Sequence, residues 1–159
     1  LYAQAKMLRE EGDYRGAIGR LRAVVRLDPT AVGAFVDMGD LLYRIGDLDD
    51  ALSAYQLALD QVPTLRSALR GAARIYRRRN DHASAARLLR TILRHDPNDA
   101  EVWLNLGDVA VFQGDEALAR ECYTRAAQLD PQATRIVKEA KRRLQLMNEV
   151  SRRYNVREP

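Results

Sequence analysis

The sequence predicts an all-α chain built as an array of helix pairs, and three observations carry that expectation. Four of the five prolines, Pro29, Pro63, Pro97 and Pro131, recur every 34 residues. Small residues keep the same step: Ala17, Ala51, Ala85 and Ala119 form one column, and Ala5, Gly39, Ala73 and Gly107 another. Gly12, Gly46, Asn80 and Gly114 also recur in step, each followed by an aspartate (Asp13, Asp47, Asp81, Asp115). A glycine or asparagine followed by an aspartate is the chemistry of one helix stopping and the next being capped. A step of this length marks a repeat array, in which each unit buries its apolar face on its neighbours.

The unit at 100–133 shows why each element forms. Val102, Trp103, Leu106, Val109 and Ala110 recur at helical spacing and give one apolar face. Gly107 sits inside that helix at a cost of about 1 kcal/mol relative to Ala, which calls for a second helix coming close there. Gly114 ends the helix, and Asn80 fills the same place in the unit before. Asp115 caps the next helix, whose buried stripe is Ala119, Tyr123 and Ala126. Pro131 cannot continue that helix. The same logic predicts helices over 2–11, 14–27, 31–45, 48–61, 65–79, 82–95, 99–113, 116–129 and 133–153. The segments are a first repeat lacking its opening positions (1–31), repeats at 32–65, 66–99 and 100–133, a capping helix (134–154) and a frayed tail (155–159). The capping helix carries an apolar stripe of Val137, Ala140, Leu144, Met147 and Val150. Its outer face is basic: Lys138, Lys141, Arg142, Arg143, Arg152 and Arg153.

Composition bounds the class. Apolar residues make up 47% and charged residues 30%, the balance of a soluble folded protein, and no apolar run is long enough to span a bilayer. The chain opens Leu1-Tyr2-Ala3, with no initiator Met or leader, so more chain is expected upstream. The compartment is left open, with the cytoplasm favoured. The single cysteine, Cys122, excludes an internal disulfide framework and is expected to act as a small apolar residue. The net charge of +4 hides an alternation: +2 over 1–31, −5 over 32–65, +6 over 66–99, −4 over 100–133 and +5 over 134–159. Neighbouring units of opposite sign attract, which fixes their order; the functional alternative is a groove with a basic zone between two acidic ones.

The columns resemble the tetratricopeptide repeat family. Trp103, Leu106, Gly107, Gly114, Ala119, Tyr123, Ala126 and Pro131 match its pattern in one unit. Phe35, Met38, Gly39, Leu42, Gly46, Ala51, Tyr55, Ala58 and Pro63 match it in another. The first and third units depart more, with Leu21 and Leu89 replacing the aromatic and Val24 and Ile92 a small Ala. The resemblance implies a right-handed superhelix, an α-solenoid, whose first helices line a concave groove holding an extended peptide or a partner's helix. It places Asp37, Asp40, Tyr43, Arg70, Arg74, Arg77, Leu104, Asn105 and Asp108 in that groove, with Gly71 leaving room beside the arginines. Three arginines on one helical stripe suit carboxylates or phosphates, while Arg74 has Asp40 or Asp108 as competing partners. The carboxylate-clamp positions seen in some family members are filled by Tyr2, Lys6, Asp37, Ser67 and Gly71 here, so chaperone-tail binding is not expected.

No phosphate-binding glycine loop and no His-Glu-x-x-His occur. His82 opens a helix and His95 closes one, where a carbonyl-capping role is expected. The reading is a non-catalytic protein-interaction scaffold with no cofactor, no metal site and no small-molecule substrate. Its partner is a peptide or helix, acidic by the arginine stripe. The alternatives are the regulatory or docking arm of a larger enzyme or assembly machine, and a nucleic-acid binder, which the acidic 32–65 and 100–133 units disfavour. Self-association through the last helix, near Tyr154, is a further expectation.

Overall fold

The computed structural model describes residues 1–129 and 135–155, with side chains as far as residue 153. Among the described residues lie nine helices and no strand. They are α1 Tyr2–Glu10, α2 Tyr14–Leu27, α3 Val32–Ile45, α4 Leu48–Gln61, α5 Arg66–Arg78, α6 His82–His95, α7 Ala100–Phe112, α8 Glu116–Gln128 and α9 Arg135–Asn155. Pro131, Ala133, Thr134, the Tyr154 side chain and residues 156–159 lie outside the described residues. The chain forms two compact units, Leu1–Asp81 and His82–Pro159.

In the first unit α1 pairs with α2 and α3 with α4, and α5 packs on α4 and touches α3. The alanine columns are the reason the helices approach: Ala17, Ala51 and Ala58 are fully buried. Tyr55 is fully buried as well, and its ring fills the space of two glycines. A Cβ on Gly39 would stand 2.7 Å from the ring, and one on Gly71 would overlap it. Gly71 therefore leaves no room beside the arginines, because Tyr55 has taken it. The α1–α2 turn is capped by Asp13, which accepts from the Gly16 N–H at 2.8 Å. Asp47, in the same column, makes no such bond.

In the second unit α6 packs on α7, α7 on α8, and α9 lies on α8 and α7. Gly107 faces the Tyr123 ring, 2.5 Å from where its Cβ would be. The close neighbour expected at this column is thus an aromatic ring. Gly114 takes φ +75° and Asn80, at the end of the first unit, φ +60°, the left-handed conformation that only glycine and asparagine adopt cheaply. Asp115 then accepts from the Leu118 N–H at 3.0 Å. The His82 ring stacks on Phe112 with centroids 4.9 Å apart. Cys122 is fully buried, and that burial pushes its thiol up to about 12, so it packs as an apolar residue.

Two expectations for α9 are corrected. Val137 and Ala140 are buried, but the stripe does not seal along its length, and Val150 is 53% exposed. Arg143 is not on the outer face. It turns inward to bond Asp108, because a buried carboxylate needs a cation to balance it.

Candidate functional site

The first unit carries a cleft of about 450 Å³, lined by Arg9, Asp37, Asp40, Leu41, Tyr43, Arg44 and Arg74. α3 supplies its floor: Asp37, Asp40 and Tyr43 fall three residues apart, on one side of the helix. α1 contributes Arg9 and α5 contributes Arg74.

Each charged group is held by a partner from another helix. Tyr55, on α4, donates its O–H to Asp40 Oδ1 at 2.6 Å. Burial, then this bond, raises the Tyr55 hydroxyl well above the usual tyrosine range. Tyr2 donates to Asp37, and that bond and burial push its hydroxyl up to about 12. Both carboxylates thus accept from phenols and also line the cleft. Arg9 stands 3.9 Å from Asp37, and Arg74 reaches Asp40 at 3.5 Å. The Arg74 guanidinium lies over the Tyr43 ring, 3.9 Å from its centroid, with Arg78 more distant at 5.7 Å. Arg44 donates to the Tyr14 hydroxyl at 3.1 Å. A guanidinium fixed on an aromatic face has lost little entropy still to be given up on binding a carboxylate.

Of the expected residues, Asp37, Asp40, Tyr43 and Arg74 come together here. Arg70 and Arg77 are half-buried on the same helix, with contacts of their own, and do not line the cleft. Leu104, Asn105 and Asp108 belong to the second unit. Leu104 and Asn105 are half-buried on α7. Asp108 is buried, where it accepts from the Tyr123 hydroxyl at 2.9 Å and from Arg143. Arg9, Arg44 and Leu41 line the cleft without having been expected. Arg9 had a signal, since it falls one period before Tyr43. Arg44 and Leu41 had none. No cluster of three His, Cys, Asp or Glu side chains with metal-holding geometry is found among the described residues. No described helix is long and apolar enough to cross a membrane.

The sequence profile of the tetratricopeptide repeat family matches residues 2–65 and 70–134. The chain belongs to the tetratricopeptide repeat family. It is 36% identical over 92 residues to the general transcriptional corepressor ssn6 of Schizosaccharomyces pombe, covering 58% of this chain and 8% of that protein. It is 29% identical over 129 residues to a CTR9 homolog of Arabidopsis thaliana, covering 80% of this chain and 12% of that protein. The chain therefore spans only about a tenth of the length of these relatives. A crystal structure of MamA superposes with a TM-score of 0.78 at 20% identity, covering 95% of this chain and 96% of that one. At that identity the likeness speaks for the fold, an α-solenoid of tetratricopeptide helix pairs. Proteins of this family are in general interaction and assembly scaffolds rather than catalysts.

Proposed function

We propose that this chain captures an extended peptide or a helix of another protein in the cleft of its first unit. The observation that carries the reading is Arg74, held over the Tyr43 ring beside two carboxylates that already accept from Tyr2 and Tyr55. Such a cleft presents a fixed cation, an aromatic edge and oriented acceptors at once, which suits an acidic side chain flanked by backbone N–H groups. The Arg74–Asp40 pair is exposed and spans 3.5 Å. Exposed pairs of this kind contribute little, so an incoming carboxylate can take the guanidinium without large cost.

The test compares partner capture from the source cell by the parent chain, Arg74→Glu and Tyr43→Ala, with circular dichroism checking that all three stay folded. A partner set lost in both variants supports the cleft. Identical sets from all three chains would remove the assignment.

A second reading has its own support in the short span of the relatives that this chain covers. In it, the chain is the docking arm of a larger enzyme or assembly machine. A full-length gene encoding repeats alone would end that reading.

A further inference from the structure

α9 has 21 residues against 13 in α8. At about 1.5 Å per residue it is roughly 12 Å longer than α8. Its last turns form a groove of about 380 Å³ with the α7–α8 turn, lined by Val111, Gly114, Glu116, Leu146, Met147 and Val150. Three of the four apolar side chains here stand about half exposed: Val111 at 49%, Leu146 at 51% and Val150 at 53%. Scattered exposed apolar residues are ordinary, but a contiguous set at the mouth of one groove marks a docking surface.

The groove is held in place. Ser151 donates to Glu116 at 3.1 Å, and Arg120 bonds both Glu116, at 3.2 Å, and Asn148. The one acidic group in the lining is therefore already engaged by Arg120 and Ser151. Asp115 and Glu116 are exposed on the turn side of the groove, while the stripe of α9 that carries Leu146 and Val150 is basic at both ends. Lys138 and Arg142 precede Leu146 on its own helical stripe, and Arg153 follows Val150. Arg142 stands 3.8 Å from Glu139, an exposed pair that an incoming carboxylate can displace at little cost. Glu149, next to Val150, accepts from Gln145 at 3.1 Å. The apolar pair Leu146 and Val150 is thus bracketed by cations along one line of the helix.

We propose that this groove is a second docking surface, whose occupant is an acidic amphipathic helix of a partner protein. The helix lays an apolar stripe on Val111, Leu146, Met147 and Val150, and sets its acidic residues against Arg142 and Arg153. Charge argues against a second copy of this chain. Two α9 helices face to face would bring Lys138, Arg142 and Arg153 against their like, which costs free energy.

The test is fluorescence anisotropy with a labelled helical peptide about four turns long, carrying leucines at i and i+4 and glutamates at both flanks. A second peptide has lysine in place of every glutamate. The glutamate peptide is expected to bind at least about tenfold more tightly than the lysine peptide, and Leu146→Glu to weaken it at least about tenfold. Arg142→Glu with Arg153→Glu should remove most of its salt dependence. Leu146→Ser serves as an uncharged check, and melting curves confirm that each variant folds. Equal binding of the two peptides, binding by neither, or binding indifferent to both Leu146 variants overturns the proposal. So does a dimer in sedimentation that Leu146→Glu dissolves, since the groove would then be filled by a second copy.

Discussion

Two regions of the molecule, two periods apart in sequence, carry the same three side-chain types in different surroundings. In the first unit Tyr55 donates to Asp40, and Arg74 approaches Asp40 from the next helix. In the second unit Tyr123 donates to Asp108, and Arg143 approaches Asp108 from α9. The side chain of Asp40 is 54% exposed and that of Asp108 only 9%. The difference lies in what covers the carboxylate. Beside Asp40 the guanidinium sits over the Tyr43 ring, and all three side chains line a cleft. Beside Asp108, α9 lies directly on the carboxylate's helix and delivers its arginine inward. One carboxylate is open to solvent, and the other is covered by the chain itself.

The largest effect that separates the two regions is expected from Asp108→Asn. It removes the more buried of the two carboxylates that hold Arg143, leaving Glu139 at 3.2 Å as the other, and weakens the acceptor for Tyr123. A loss of about 2–3 kcal/mol in urea unfolding is expected, at or below the range for breaking buried pairs. Asp40→Asn, read the same way, should cost less than about 1 kcal/mol. A comparable loss at both sites would break the distinction.

Next comes the ring beneath each carboxylate. Gly107→Ala puts a methyl into the Tyr123 ring and should cost about 1–3 kcal/mol. The sequence pairs Gly39 with Tyr55 and Gly107 with Tyr123, but Ala5 with Leu21 and Ala73 with Leu89. Combining Gly107→Ala with Tyr123→Leu should therefore recover part of the loss. A double variant whose loss is the plain sum of the two single losses would show that ring and glycine are not coupled.

A smaller effect follows from pH. Tyr2, Tyr55 and Tyr123 all hold their protons more tightly in the folded chain. Unfolded tyrosines release theirs near pH 10. Above that pH the unfolded state binds fewer protons than the folded one, so stability falls as pH rises. For Tyr2 the loss is confined between about 10 and about 12. Tyr55→Phe should flatten the fall in a series of melts from pH 9 upward, and an unchanged slope would contradict the tyrosine–carboxylate bonds.

Much of the fold was legible because turn and cap chemistry is local. Gly114 and Asp115 mark the α7–α8 turn whatever surrounds them, and the alanine columns announce where helices meet. The site was legible only in part. Asp37, Asp40, Tyr43 and Arg74 were reached through the groove positions that the family resemblance assigns to α3 and α5, since spacing alone does not say which face of a helix lines a cleft. Arg9 required reading the Tyr43 column back one period. Arg143 was placed outside because helical spacing says which face a residue occupies, not where a long side chain bends. Its inward turn depends on Asp108 being buried, which is a property of the packed unit. Val150 fits the apolar stripe by spacing, yet it stands half exposed in the groove between α9 and the α7–α8 turn.

The most direct test of the open and closed readings is a pair of double-mutant cycles measured by equilibrium unfolding, Asp108 with Arg143 and Asp40 with Arg74. Coupling above about 1.5 kcal/mol is expected for the first pair and below about 0.5 kcal/mol for the second. Equal couplings, or a stronger one at Asp40 and Arg74, would contradict the account.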